Sequence, residues 1–283
     1  MESSEIAKNN DNLLNKNELF GKILEIDALS EEFTNCKIAV GEEKKKFLNF
    51  ESMGYSRKDI ELIEAYPGEL QKLKSAFHEI NNSDLIGLDS EWVVTKPPIK
   101  TTLFQIATRK KAYVFDFTPS GVENIYLNAD KNSFLQHFES LLGMTFKNEN
   151  LLKVSWDFKQ DMYNLNNRFK YSKKINEILN FVDLMPISPK SIPKGLSNHC
   201  LHYLGLALDK THQKSSWLER PLIEEKIIYA AMDSIAVISL YEQMKKSIDI
   251  KSTSLTISQV ENQIREVRMK KKGIAHLFSH WEY

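Results

Sequence analysis

Asp89 and Glu91 close the run Leu85-Ile86-Gly87-Leu88-Asp89-Ser90-Glu91-Trp92, an apolar stretch that reads as a buried strand. Residues two apart on a strand share a face, so the two carboxylates stand side by side while Leu88 and Ser90 point the other way. Holding two like charges together at the end of an apolar element costs on the order of several kcal/mol unless a cation neutralises them. A divalent metal is the cation that oxygen donors of this kind take. Asp161 and Asp233 complete a set for two metals, and Tyr229 stands one helical turn before Asp233. Carboxylates without Cys or His suit a hard ion, Mg²⁺ or Mn²⁺.

Spacing alone carries little weight, and the chain holds its own controls. Asp59-Ile60-Glu61 repeats the acid-x-acid pattern, and Tyr55…Asp59 and Tyr126…Asp130 repeat the Tyr-x-x-x-Asp pattern. Those copies lie in polar or turn-like contexts with no apolar strand before them. Context and order single out the set Asp89, Glu91, Asp161, Tyr229 and Asp233.

The elements that must position these residues follow from periodicity and breakers. Leu85–Trp92, Thr102–Thr108 and Ala112–Phe117 are three β-rich runs separated by polar pieces, a strand meander. Ser133–Leu142 has helical spacing, Leu151–Trp156 reads as a fourth strand, and Lys159–Phe169 as the helix after it. Phe181–Leu184 is a short fifth strand closed by Pro186 and Pro189. Gly195–Leu204 and Pro221–Met244 are helical, the second with Pro221 at its first position. Strands first and then alternating strands and helices imply an α/β fold, a mixed sheet flanked by helices. Before it, residues 1–80 are rich in Lys, Glu and Asn and read as a helical extension. Short amphipathic helices are expected at Phe47–Met53 and Ile60–Ile63, and a longer one at Glu69–Ile80. The central domain spans 81–247, and 248–283 is a polar, then basic, tail.

Composition bounds the rest. A chain of 283 residues with 42% hydrophobic and 27% charged residues is ordinary for a soluble globular protein. Lys+Arg 38 balances Asp+Glu 38, so no global field draws the chain to nucleic acid, although an acidic site and a basic rim cancel in such a sum. Cys36 and Cys200 form no CxxC pair, which argues against a disulfide framework and a cysteine-rich zinc site. Met1–Glu5 lacks a basic start and an apolar core, and no apolar run approaches about 18 residues. An intracellular protein of cytoplasm or nucleus, not secreted and without a membrane partner, is the expectation.

Three ordered motifs resemble the DEDD-type 3′–5′ exonucleases. Leu85–Trp92 resembles the first motif of that family. Lys153-Val154-Ser155-Trp156-Asp157-Phe158-Lys159-Gln160-Asp161, with Leu165 four residues on, resembles the second. Tyr229-Ala230-Ala231-Met232-Asp233, followed by Leu240-Tyr241, is similar to the third in the variant that carries tyrosine. Leu103–Thr108, Phe181–Leu184, Gly195-Leu196, Ser216-Trp217 and Arg220-Pro221-Leu222 also agree. The resemblance covers about residues 80–245 and is closest to the branch of ribonuclease D, the Werner-syndrome exonuclease domain and the Nibbler-type trimming enzymes. Ser155 and Ser234 stand where the family often has Gly and Ala, and both are small. Residues 1–80 match nothing recognisable.

The resemblance implies a ribonuclease H-like domain that removes nucleotides from the 3′ end of single-stranded nucleic acid as nucleoside 5′-monophosphates. RNA is the favoured substrate and DNA the second choice, with a catalytically inactive binding scaffold as the alternative from another class. Two Mg²⁺ or Mn²⁺ ions would grip the attacking and leaving oxygens. By carry-over, Asp89 bridges both ions, Glu91 and Asp233 help hold the ion next to the attacking water, and Asp161 holds the other. Tyr229 orients that water, since a phenol with a pKa near about 10 is a poor base at neutral pH.

The neighbouring positions receive plainer readings. Ser90, Trp92 and Leu88, just around the carboxylates, are candidate substrate contacts, although Leu88, Phe104 and Ile106 have core packing as their default. Asp157 reads as a helix N-cap and Asp183 as a structural hydrogen-bonding residue. His199-Cys200-Leu201-His202 and the pair His276/His280 lack the further ligands a zinc site needs. Trp217 reads as a packing residue, and Arg265–Lys272 as a solvated helix face, with contact to phosphates as the alternative. Residues 1–80 are expected to tune binding or partner choice, a protein partner through this extension included.

Overall fold

The run that carries Asp89 and Glu91 forms strand β2 (Leu85–Trp92), and the rest of the sheet is built outward from it. The computed structural model describes residues 47–93, 99, 101–119, 129–169, 175–264 and 266. On one side β2 pairs antiparallel with β3 (Thr101–Ala107), which pairs antiparallel with β4 (Ala112–Asp116). The turn between them is closed by Thr108, whose Oγ1 accepts from Lys110 N at 3.2 Å and Lys111 N at 3.0 Å. On its other side β2 pairs parallel with β5 (Leu152–Ser155), and β5 pairs parallel with β6 (Glu177–Asp183). The edges are β1 (Ile60–Glu64), parallel to β4, and β7 (Thr253–Thr256), antiparallel to β6. The seven strands run in the order β1-β4-β3-β2-β5-β6-β7.

Helices cover both faces, as strands buried on two sides require. Helix α1 (Leu70–Asn81) presents Leu73, Ala76, Phe77 and Ile80 at three- and four-residue spacing. Together with α2 (Ala129–Lys147) it packs an aromatic core against Phe104, Ile106 and Phe115. Phe138 is central there, with ring centroids 5.0 Å from Phe115 and 4.8 Å from Phe117. The α3 helix (Lys159–Arg168) buries Met162 and Leu165 in the same core. After a short turn, α4 (Leu184–Ile187), the chain forms α5 (Leu196–Leu204) and α6 (Glu224–Met244). These two cover the opposite face, against Leu85, Leu103, Val114 and Val154. Among the described residues no helix is long and apolar enough to cross a membrane.

Several expectations are corrected. Ile60–Ile63 forms a strand, not a helix. Its buried residues, Ile60 and Ile63, are three apart, which imitates a helical repeat, but on the strand they enter the cores on opposite faces of the sheet. The segment 47–53 contains only a 3₁₀ turn, Glu51–Met53. Pro221 precedes α6 and is not its first residue. The region past 248, read as a polar tail, contributes β7 and a helical stretch at 257–264, so the sheet extends beyond 81–247 at both ends. Residues 1–46, the basic residues Arg265 and Arg268–Lys272, and His276 and His280 lie outside the described residues.

Candidate active site

The site forms where β2 ends and α6 crosses it. α6 carries Tyr229 and Asp233 four residues apart, on one face and one turn from each other. The crossing is close because Gly87 has no side chain: a Cβ there would lie 2.0 Å from Ser234 O and 2.9 Å from Val237 Cγ2. Removing one methyl's worth of bulk on β2 thus lets the helix backbone seat Asp233 beside Asp89. Tyr229 is 6% exposed, with Trp217 at 6.0 Å and the ring of His212 edge-on at 5.8 Å. Pairing of β2 with β3 shifts register between Glu91 and Trp92, an irregularity typical of sheet positions that re-aim side chains.

Asp161 arrives from the other direction, in the first turn of α3. Its Oδ1 accepts from Ser90 Oγ at 2.6 Å and from Trp92 Nε1 at 3.3 Å. The residues between and beyond Asp89 and Glu91 therefore hold the remaining acid. Asp89, Ser90, Glu91, Trp92, Tyr229 and Asp233 line a cavity of ≈ 680 Å³. Asp161 reaches it through Ser90 and Trp92.

The electrostatics are those of crowded carboxylates. Burial, and then the charges of Asp233, Asp161 and Glu91, push Asp89 well above the ordinary carboxylate range. Burial, Asp233 and Asp161 do the same to Glu91. Asp161 is pushed up to about 6 by burial, against the pull of the Ser90 and Trp92 hydrogen bonds. Burial also raises Asp233, opposed by Lys210, whose Nζ lies 3.5 Å from Asp233 Oδ2. Tyr229 is raised above the ordinary phenol range by burial first and by Asp233, Glu91 and Asp89 next. Its hydroxyl stays protonated at neutral pH.

The outer wall of the cavity comes from Gln213, Lys214, Ser215, Ser216 and Trp217. Arg220 fastens this segment to the sheet. Its Nε and Nη2 each donate to an oxygen of Asp116 at 2.6 Å, and Nη2 also donates to Thr118 Oγ1 at 2.8 Å. The guanidinium and carboxylate are nearly inaccessible, a paired and hydrogen-bonded arrangement that a buried charge requires.

The expected residues fall into clear groups. Asp89, Glu91, Tyr229 and Asp233 come together, with Ser90 and Trp92 at the cavity and Asp161 bonded to both. Leu88, expected as a substrate contact, is fully buried in the aromatic core and is not at the cavity. The strand alternation that points Asp89 at α6 points Leu88 inward. Asp157 is not an N-cap: its φ is 57°, its N–H donates to Asp183 Oδ1 at 2.8 Å, and Phe158 precedes α3. Asp183 Oδ1 accepts from Asp157 N and Met185 N, the structural role expected of it. His199 is buried against Trp156, ring centroids 4.5 Å apart. Among the decoys, Asp59 accepts from Ser56 N at 2.8 Å and Ser56 Oγ at 2.6 Å. Lys210, Arg220 and the cavity-lining role of Trp217 were missed, and only Arg220-Pro221 and Ser216-Trp217 carried any signal.

The donor set suits a hard divalent ion. All four groups are carboxylates, and their mutual repulsion is relieved by added positive charge. Among the described residues no three Asp, Glu, His or Cys side chains stand together as a ready ligand set.

The chain matches the family described as 3′–5′ exonuclease over residues 67–249. It is 25% identical over 199 residues to an exonuclease mut-7 homolog of Aedes aegypti, covering 62% of this chain and 26% of that protein. With exonuclease mut-7 of Caenorhabditis elegans it is 24% identical over 204 residues, 66% of this chain and 22% of the other. The chain thus spans about a quarter of the length of these relatives. The EXO domain of Aedes aegypti Nibbler superposes with a TM-score of 0.53 at 20% identity, over 68% of this chain and 90% of that domain. Escherichia coli RNase D, an exoribonuclease, superposes at 0.50 with 21% identity, over 66% and 45%. Trypanosoma brucei RNase D in complex with RNA U12 does so at 0.50 with 18% identity, over 75% and 68%. A mixed sheet with helices on both faces, and carboxylates at the end of its central strand, is a ribonuclease H-like nuclease architecture. The chain belongs to the 3′–5′ exonuclease family, in the DEDD type whose third motif carries tyrosine.

Proposed function

We propose that this protein hydrolyses single-stranded RNA from its 3′-OH end, releasing nucleoside 5′-monophosphates with the help of Mg²⁺ or Mn²⁺. The observation that carries the reading is the cavity itself, where Asp89, Glu91 and Asp233 gather beside Tyr229 and Asp161 is tethered through Ser90 and Trp92. Asp89, Glu91, Asp161 and Asp233 would hold the divalent ions, which neutralise the phosphate and make water a better nucleophile. Water attacks the terminal phosphorus, the bond to the preceding O3′ breaks, and that oxygen takes a proton to become the new 3′-OH. Tyr229, protonated at neutral pH, orients the attacking water by hydrogen bonding and does not take its proton. Trp92 lines the cavity, and an aromatic ring there suits stacking with an unstacked base. RNA is preferred to DNA because the neighbours of matching fold include an exoribonuclease and an RNA complex.

The test uses 3′-OH RNA and DNA oligonucleotides of one sequence, a circular version, and the full chain with Mg²⁺ or Mn²⁺ or with chelator. Stepwise shortening of linear RNA is expected, with the circle and the chelated reactions inert. Asp89→Asn should lower the rate on the order of 10³-fold without lowering the melting temperature, since it removes a charge that its neighbours repel and not packing. Faster cleavage of DNA would move the substrate to DNA. Cutting of the circle, or an Asp89→Asn protein of near wild-type rate, would sink the reading.

A further inference from the structure

Three carboxylates line the cavity, so a strand of phosphates entering it meets repulsion unless cations are supplied from the protein or bound with it. Among the described residues lining the cavity, Lys214 is the one cation. Lys210 stands four residues earlier on the same segment, with its side chain one-third exposed and only a long 3.5 Å contact to Asp233. An ammonium at that distance from one oxygen is loosely held and can reach a second anion.

The segment that carries both lysines has little regular structure but is tied down along its length. At its start Leu208 O accepts from Ser197 Oγ at 3.0 Å. At its end Arg220 joins Asp116 and Thr118, and its Nη1 donates to Trp217 O at 2.9 Å. Lys226 Nζ adds bonds to Ser216 O at 2.9 Å and Glu219 Oε2 at 2.7 Å. Trp217 is 2% exposed and packs on Tyr229. A polar stretch fixed this firmly beside a carboxylate cavity offers a preset surface, with the uncharged donors Gln213 and Ser216 lining the cavity together with Lys214.

We propose that the 209–217 segment is the strand-binding wall of the site, with Lys210 and Lys214 receiving backbone phosphates of the substrate and so holding the chain against the carboxylates. The proposal rests on the exonuclease reading above and adds where the strand is gripped. Arg220 is its positioning residue, acting through the segment and not on the substrate.

The experiment measures binding of a 5′-labelled single-stranded oligonucleotide to the full chain by fluorescence anisotropy, with Ca²⁺ replacing Mg²⁺, between about 50 and 200 mM salt. Each phosphate contact on a single strand contributes roughly 0.7 to the slope of log affinity against log salt. Lys210→Met and Lys214→Met should each lower that slope by about 0.7, and Lys210→Arg and Lys214→Arg should restore it. Lys214 is exposed, so its variant keeps the test open should Lys210→Met fold poorly. A merely structural lysine would change the melting temperature and leave the slope alone. Unchanged slopes in both Met variants, with the wild type binding well, would overturn the wall. A slope change confined to Lys214→Met would remove Lys210 from it. A wild type that neither binds nor cleaves any oligonucleotide would instead overturn the exonuclease reading.

Discussion

The two flanks of the β2 terminus hold their acids by different means. On the α6 flank, Asp233 is placed by backbone against backbone, with Ser234 O over Gly87 and no room for a Cβ between them. On the α3 flank, Asp161 is placed by side chains, through Ser90 Oγ at 2.6 Å and Trp92 Nε1 at 3.3 Å. Backbone contact fixes a position and allows little adjustment, whereas side-chain hydrogen bonds can exchange one partner for another. A site that must receive ions and a substrate therefore has one rigid jaw and one adaptable jaw.

The rigid jaw is the more damaging one to disturb. Gly87→Ala is expected to cost about 3 kcal/mol of stability and nearly all cleavage, because the new methyl can be housed only by moving α6 and Asp233 with it. Thermal melting and a cleavage assay read both effects. A Gly87→Ala protein with wild-type melting and rate would mean that α6 is free to shift, and the contrast would disappear.

The adaptable jaw should give way more gently. Ser90→Ala removes one bond to the Asp161 carboxylate and little packing, so the rate should fall about 10-fold to 100-fold with small change in melting. Raising the Mg²⁺ or Mn²⁺ concentration should recover part of the loss. A fall as deep as that of Gly87→Ala would show that both flanks are equally rigid.

The smallest effect is on pH dependence in chelator. Asp161 stands at about 6 in the fold, and Asp89, Glu91 and Asp233 are also raised above the ordinary carboxylate range near about 4. Between those values the folded state binds more protons than the unfolded one. The stability Asp161 contributes is full below about 4 and is lost as pH rises through about 6, and that of the other three is likewise lost as pH rises. The chelated protein should therefore melt higher at about pH 5 than at about pH 7.5, and Asp161→Asn should reduce the difference. A melting temperature that falls over that interval, and falls equally in Asp161→Asn, would show that Asp161 titrates as an ordinary surface acid.

Much of this is legible in the sequence, for physical reasons that differ by residue. Leu85–Trp92 announced itself because a buried strand ending in two acids is energetically conspicuous, and the order of the three motifs removed the decoys. β1 was hidden because its buried pair, Ile60 and Ile63, serves opposite faces at helical spacing, and its partner β4 is distant in sequence. β7 has a single buried residue, Leu255, so it shows no alternation to detect. Leu88 was placed at the site by proximity in sequence, while the strand's own alternation sends it into the core. The bonds from Ser90 and Trp92 to Asp161, and the approach of Lys210 to Asp233, join residues 71, 69 and 23 positions apart, and no local pattern reports such contacts.

The outermost strands have a consequence of a different kind. β1 and β7 lie outside residues 67–249, the stretch that matches the exonuclease family, yet they are what terminate the sheet on either side. A fragment cut to that stretch would retain every carboxylate and leave β4 and β6 with unpaired backbone donors and acceptors along one edge each. Such edges recruit further strands, and the recruits would be copies of the same fragment. The fragment is expected to self-associate with concentration more strongly than the full chain, a difference that light scattering reads directly. A fragment that stays monomeric would show that β1 and β7 are ornaments and not guards.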